Sequence, residues 1–156
     1  MGGDKTSAAV IDQSIAFYKA MGKYPIRLNK EVPGHIANRL QAAIWREAIH
    51  LAAENVASVA DIDAAVSQGP GLRWALFGPH MTFNLGGGAG GLANFMDHLL
   101  GPVQTWWDDL GAPEVTPALQ RKLIDGVNAE AGQRSIADLV ETRDAQLTAL
   151  IKALRR

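Results

Sequence analysis

The chain has 156 residues, is 47% apolar and 20% charged, and carries a formal net charge of -1 with a pI near 6.4. That balance belongs to chains that fold around a core, and it excludes the disordered class. The near-neutral charge leaves no basic field to attract phosphates, so a nucleic-acid partner is not expected; the lack of cysteine excludes a thiolate nucleophile and a cysteine metal site and removes any need for an oxidising compartment.

The opening MGGDKTSAAV does not read as a secretory signal. No uninterrupted run of about 18 apolar residues occurs, so no membrane segment is expected and a cytoplasmic location is the default. Thr6 or Ser7 can cap a first helix whose apolar positions Val10, Ile11, Ile15, Phe17, Tyr18 and Met21 follow helical spacing, with Gly22 placed to end it. KYPIRL, residues 23–28, reads as a short strand, because Pro25 forbids a helix while Tyr24, Ile26 and Leu28 alternate. A lone helix and strand have no visible partners, so they look like the tail of another domain.

Pro33 and Gly34 break the chain, and the pattern predicts a long helix from about His35 to Asn55. Its expected buried stripe is Ile36, Leu40, Ala43, Ile44, Ala48, Leu51 and Ala52. Ser58 and Asp61 signal the start of a shorter helix through Val66. GPGLRWALFGPHMTFNLGGGAGG follows, and its Trp74, Phe77 and Phe83 argue for a packed, partly helical loop rather than a linker. LANFMDHLLG and VQTWWDDLG read as two helices ended by glycine. TPALQRKLIDGVNAEA opens with Thr116 as cap and Pro117 in the first turn. Ser135 caps a last helix whose Ile136, Leu139, Val140, Leu147, Leu150 and Leu154 face one way, with Lys152, Arg155 and Arg156 suiting its C-terminus. The bulk of the chain is therefore all-α.

GGGAGG, Gly86 to Gly91, follows no strand and lacks the Lys-Ser/Thr of a phosphate-binding loop, so tight-turn packing is the better reading. His35, His50, His80 and His98 show no metal-ligand spacing, so no metal site is expected. No serine lies in a G-x-S-x-G setting. Arg73, a guanidinium in an apolar, glycine-rich stretch, either anchors helix-end carbonyls or clamps a substrate carboxylate with its planar fork. Trp45, Trp74, Trp106 and Trp107 suit either a core or a subunit interface.

The stretch GKYPIRLNKEVPGHIANRLQAAIWREAIHLAAENVASVADIDAAVSQGPG resembles the junction of NAD-dependent L-3-hydroxyacyl-CoA dehydrogenases, where a dinucleotide domain passes into a helical C-terminal domain. The likeness rests on G-K-x-P, on P-G-x-I-x-N-R-L, on a helix with Glu47 and Ala48, and on S-x-x-D-I-D before Gly-Pro-Gly. GPGLRWALFGP is similar to the branch that contains lambda-crystallin (L-gulonate 3-dehydrogenase) and carnitine dehydrogenase.

The resemblance implies an all-α domain of the 6-phosphogluconate dehydrogenase C-terminal-like type over residues 31–156, preceded over residues 1–30 by a helix-strand remnant of a Rossmann domain. It implies NAD-dependent oxidation of a 3-hydroxy group to a ketone, on a 3-hydroxyacyl-CoA of fatty acid metabolism or on a free 3-hydroxy acid. Asn38 matches the family's asparagine, whose amide can hold the substrate oxygen or the catalytic imidazole. Arg39 would anchor the domain junction, and Arg73 would bind substrate. The family's catalytic histidine and glutamate and its G-x-G-x-x-G loop have no counterpart in this sequence, and His35, where the family is apolar, is not their substitute. The chain alone is accordingly expected to be inactive and to bind no NAD, with a homodimer formed through the helical domain. The competing reading is a stand-alone helical dimerisation or binding module without redox activity.

Overall fold

The computed structural model describes Gly3 and residues 5–154, so Arg155 and Arg156 of the last helix's basic end lie outside the described residues. Among those described it contains eight α-helices, one 3-10 turn and no strand. The chain divides into two units, Met1–Arg39 and Leu40–Arg156.

In the first unit, α1 (Ala8–Ala20) begins where Ser7 Oγ accepts the Val10 N–H at 3.4 Å. It ends at Met21, followed by Gly22 in a left-handed conformation at φ 71°. Ile11 and Ile15 are half-buried, whereas Val10, Phe17, Tyr18 and Met21 of the same expected stripe remain exposed. KYPIRL is not a strand. Residues 23–28 carry no ladder, because a strand exists only through a paired neighbour and none is described. Arg27 of this segment forms an ion pair with Asp12 of α1. Gly34 and His35 then take positive φ values of 75° and 50° in succession, turning the chain into α2.

The boundary between the units falls in the first turn of α2 (Ala37–Ala53). This helix is shorter than the predicted His35–Asn55 because left-handed residues bracket it: His35 before it and Asn55, at φ 56°, after it. Only the C-terminal part of the expected stripe is covered. Ala52 is buried and Ala48 and Leu51 are half-buried, but Ile36, Leu40, Ala43 and Ile44 are exposed, while Ile49, outside the expected stripe, is buried.

Ser58 caps α3 (Val59–Gln68), its Oγ accepting the Asp61 N–H at 3.1 Å and donating to Asp61 Oδ2 at 2.6 Å. The glycine-rich stretch is more helical than the sequence suggests: α4 (Pro70–Leu76) and α5 (Pro79–Gly86) each start with proline in the first turn, where its missing N–H costs nothing. A 3-10 turn (Gly88–Gly90) leads into α6 (Gly91–Asp109).

The two helices expected on either side of Gly101 are one, with Pro102 inside it. Two features carry the helix through. Leu92, Phe95, Leu99, Val103, Trp106 and Leu110 keep one helical phase across the proline, and Gly101 has no Cβ to clash with the pyrrolidine ring.

Thr116 caps α7 (Pro117–Ala131), which ends at Gly132 with φ 63°. In α8 (Ile136–Leu154), Ser135 Oγ accepts the Asp138 N–H at 3.2 Å while Asp138 Oδ2 accepts the Ser135 N–H at 2.9 Å.

Long-range polar contacts tie these helices together. Lys122 of α7 donates to the Ala52 carbonyl, to the Ala53 carbonyl at 3.3 Å and to Asn55 Oδ1 at 2.7 Å, closing the C-terminus of α2. Glu47 Oε2 accepts the Gly111 N–H at 2.9 Å, so α2 also pins the segment that leads into α7. Among the described residues the buried apolar side chains are Ile49, Ala52, Ile62 and Leu119, from α2, α3 and α7. The expected apolar face of α8 is largely uncovered.

Candidate functional site

Asn38 is the second residue of α2 and is exposed. An asparagine at a helix start commonly bonds the free amides of the first turn, but this carboxamide makes no hydrogen bond among the described residues. Its donor and acceptor are both open to a further group. The neighbouring Arg39 has no ion pair there either, so the anchoring role expected of it is not realised within the described residues. His35 approaches the same helix start in its left-handed conformation, with a buried Nδ1 that has no partner among the described residues.

Arg73 lies in the second unit, in the last turn of α4. The expected anchor to helix-end carbonyls is absent: its guanidinium has neither hydrogen bond nor ion pair among the described residues. It borders an open pocket of about 550 Å³ between α4 and α5, with Leu76, Phe77, Thr82, Phe83 and Leu85. That size lies in the range of small-molecule pockets, and a mostly apolar lining with one cation is the usual composition of such a site. Phe83 also packs on Phe95 of α6 at 4.8 Å between ring centroids, fixing one aromatic wall. Thr82 Oγ1 donates to the Phe77 carbonyl at 3.2 Å, holding the turn between the helices.

The glycine cluster beside this pocket is occupied by packing. A Cβ on Gly87 would lie 1.8 Å from the Gly91 carbonyl oxygen, and one on Gly91 would lie 2.8 Å from Asn84 Oδ1. Asn84 Oδ1 accepts the Leu92 N–H at 2.9 Å, and Asn94 Nδ2 donates to the Gly87 carbonyl at 2.9 Å. These backbones face protein, not a phosphate. With no βαβ unit among the described residues, the residues present do not fit a dinucleotide.

The histidines are dispersed. His50 packs over Gly111, and His98 Nδ1 lies 2.9 Å from the Asn94 carbonyl oxygen. Among the described residues no group of three or more His, Asp or Glu is arranged to hold a metal, and no helix is long and apolar enough to cross a membrane. Trp45, Trp106 and Trp107 are 66%, 65% and 57% exposed, so they are not core.

The sequence pointed to Asn38 and Arg73 but not to the wall that Phe77 and Phe83 build beside Arg73. The proline at the start of α5 was the signal for that wall. It makes the stretch a second helix and carries Phe83 back toward α4.

Residues 34–136 match the family model described as 3-hydroxyacyl-CoA dehydrogenase, C-terminal domain. The chain is similar to the L-carnitine dehydrogenase of Streptomyces coelicolor, 45% identical over 156 residues, which are 100% of this chain and 49% of that protein. It is similar to the L-carnitine dehydrogenase of Streptomyces griseus at 46% identity (100% of this chain, 47% of that one) and to that of Pseudomonas aeruginosa at 41% (99% and 48%). The chain thus spans about half the length of the curated relatives it matches.

Proposed function

The chain belongs to the family of 3-hydroxyacyl-CoA dehydrogenase C-terminal domains, and from that premise we propose that it is the substrate-side helical half of an NAD-dependent dehydrogenase that oxidises the 3-hydroxyl of a short hydroxy acid to a ketone. The observation that carries this reading is the Arg73 guanidinium, unpaired among the described residues, at an apolar, aromatic-walled pocket. An arginine without a partner at such a pocket suits a free carboxylate, which its two parallel N–H groups can grip.

The relatives' substrate, L-carnitine, is a 3-hydroxy acid with a carboxylate at one end and a quaternary ammonium at the other. Phe77 and Phe83 offer aromatic faces of the kind that hold quaternary ammonium groups. A free hydroxy acid of this class therefore fits the pocket better than an acyl-CoA. Asn38 acts in the catalytic step, its amide holding the substrate oxygen or the base that takes the hydroxyl proton. The nicotinamide cofactor and that base belong to a dinucleotide-binding domain outside this stretch, and residues 1–30 are the end of that domain. The enzyme works as a homodimer in the cytoplasm.

A chimera tests this. The chain replaces the matching stretch of the Streptomyces coelicolor L-carnitine dehydrogenase, and NADH formation from L-carnitine is followed. The chimera is expected to be active, and Arg73→Met should raise KM on the order of 10- to 100-fold, the loss of a charge-assisted bond. A folded, NAD-binding chimera that ignores L-carnitine and other free 3-hydroxy acids would overturn the reading.

A further inference from the structure

Two apolar surfaces of the second unit are left open, and each has the form the other lacks. One is the stripe of α8, where Leu139 is half-buried and Val140, Leu147, Leu150, Ile151 and Leu154 are exposed. This helix of 19 residues packs closely on none of the other helices, although a connection of only four residues, 132–135, joins it to α7. The other is a groove of about 310 Å³ between α2, α3 and α7, walled by Trp45, Ile49, Ile62, Ile124 and Val127. Trp45 and Ile124 are 66% and 58% exposed there.

We infer that α8 of one copy seats in the α2/α3/α7 groove of a second copy, and reciprocally, so that the pair closes on itself. The inference rests on the reading of this domain as a homodimer, and it assigns that dimer its surfaces.

Charge supports the choice of a second copy. The groove lining contains one charged residue, Asp63, which has no hydrogen-bond or ion-pair partner among the described residues. Between the two apolar segments of the α8 stripe lies one cation, Arg143, held only by an exposed pair with its neighbour Asp144 at 2.7 Å. Seating α8 in the groove can set Arg143 against Asp63 in a less solvated setting, where a charge pair is more discriminating.

Area supports it too. Two separate compact bodies with the masses of the two units would expose about 9000 Å², whereas the chain exposes 12427 Å². The excess of about 3400 Å² is larger than the share that each protomer gives to an obligate dimer, about 1000–2500 Å², and so leaves room for it. A two-fold exchange uses the same pair of surfaces twice and leaves neither open.

The test is the mass of the full chain by light scattering over a concentration series, with charge reversal. The wild-type chain should have twice the 16.7 kDa mass. Asp63→Arg and Arg143→Glu should each raise the dimer Kd at least tenfold, and both together in one chain should restore it. Leu147→Glu with Leu150→Glu should give a monomer of unchanged helicity by circular dichroism, since α8 is not in the chain's own core. A dimer indifferent to all these substitutions overturns this interface and leaves the dimer reading standing. Single reversals that weaken the dimer without rescue in the double variant overturn it as well. A monomeric wild-type chain at 100 µM overturns both.

Discussion

Gly111 sits where a Cβ would lie 2.0 Å from Cγ of His50, while its own N–H bonds Glu47. A side chain there must displace the ring or break the bond. Gly111→Ala is therefore expected to destabilise the chain by about 1–3 kcal/mol, the usual cost of overpacking. His50→Ala in the same chain should recover a good part of that loss, because it vacates the space, and a denaturant double-mutant cycle measures the coupling. Lys122→Met should cost about 1.5–3 kcal/mol in the same assay, since one ammonium closes two carbonyls and Asn55 at the end of α2. Neither contact was legible in the sequence. Glu47 and Gly111 are 64 positions apart, and no local pattern marks a lysine that reaches across to another helix. Asn38 and Arg73 stood out for the opposite reason, each being a polar group where local structure gave it no task.

The helix starts were legible because capping is local chemistry: Ser7, Ser58, Thr116 and Ser135 each cap as their neighbours dictate. What failed were signals with a non-local answer. The strand expected over residues 23–28 needed a partner, and the stop expected at Gly101-Pro102 gave way to an apolar stripe continuous through it. Gly101→Leu should therefore break α6, seen as lost helicity and a stability loss of about 1 kcal/mol or more, because a Cβ then meets the Pro102 ring. The cap of α8 carries a pH dependence. Hydrogen bonds from the Ser135 hydroxyl and then its backbone amide lower the Asp138 carboxyl below its ordinary 3.8. A lowered folded-state pKa means that the cap's contribution is complete above that ordinary value and fades as the pH falls through the lowered one. The Ser135 amide resonance should report this by shifting in that acidic window, and Asp138→Asn should abolish the titration.

At the scale of the molecule, the composition promised a chain that folds around a core, and the structure qualifies that promise. Apolar periodicity placed the right residues on the right helices, yet Leu40, Ile44, Leu147 and Leu150 stay open. A sequence shows which face of a helix is apolar, not whether that face meets its own chain or another. The family likeness places this chain among 3-hydroxyacyl-CoA dehydrogenase C-terminal domains, and the substrate-side role is the reading proposed for it. The most direct measurement is kcat for L-carnitine in the chimera with the rest of the Streptomyces coelicolor L-carnitine dehydrogenase, with Asn38 intact and as Asn38→Ala. The account predicts a fall of about 10²- to 10³-fold, the scale of losing one hydrogen bond that tightens in the transition state, with NAD binding unchanged. An Asn38→Ala chimera as fast as its parent would contradict it.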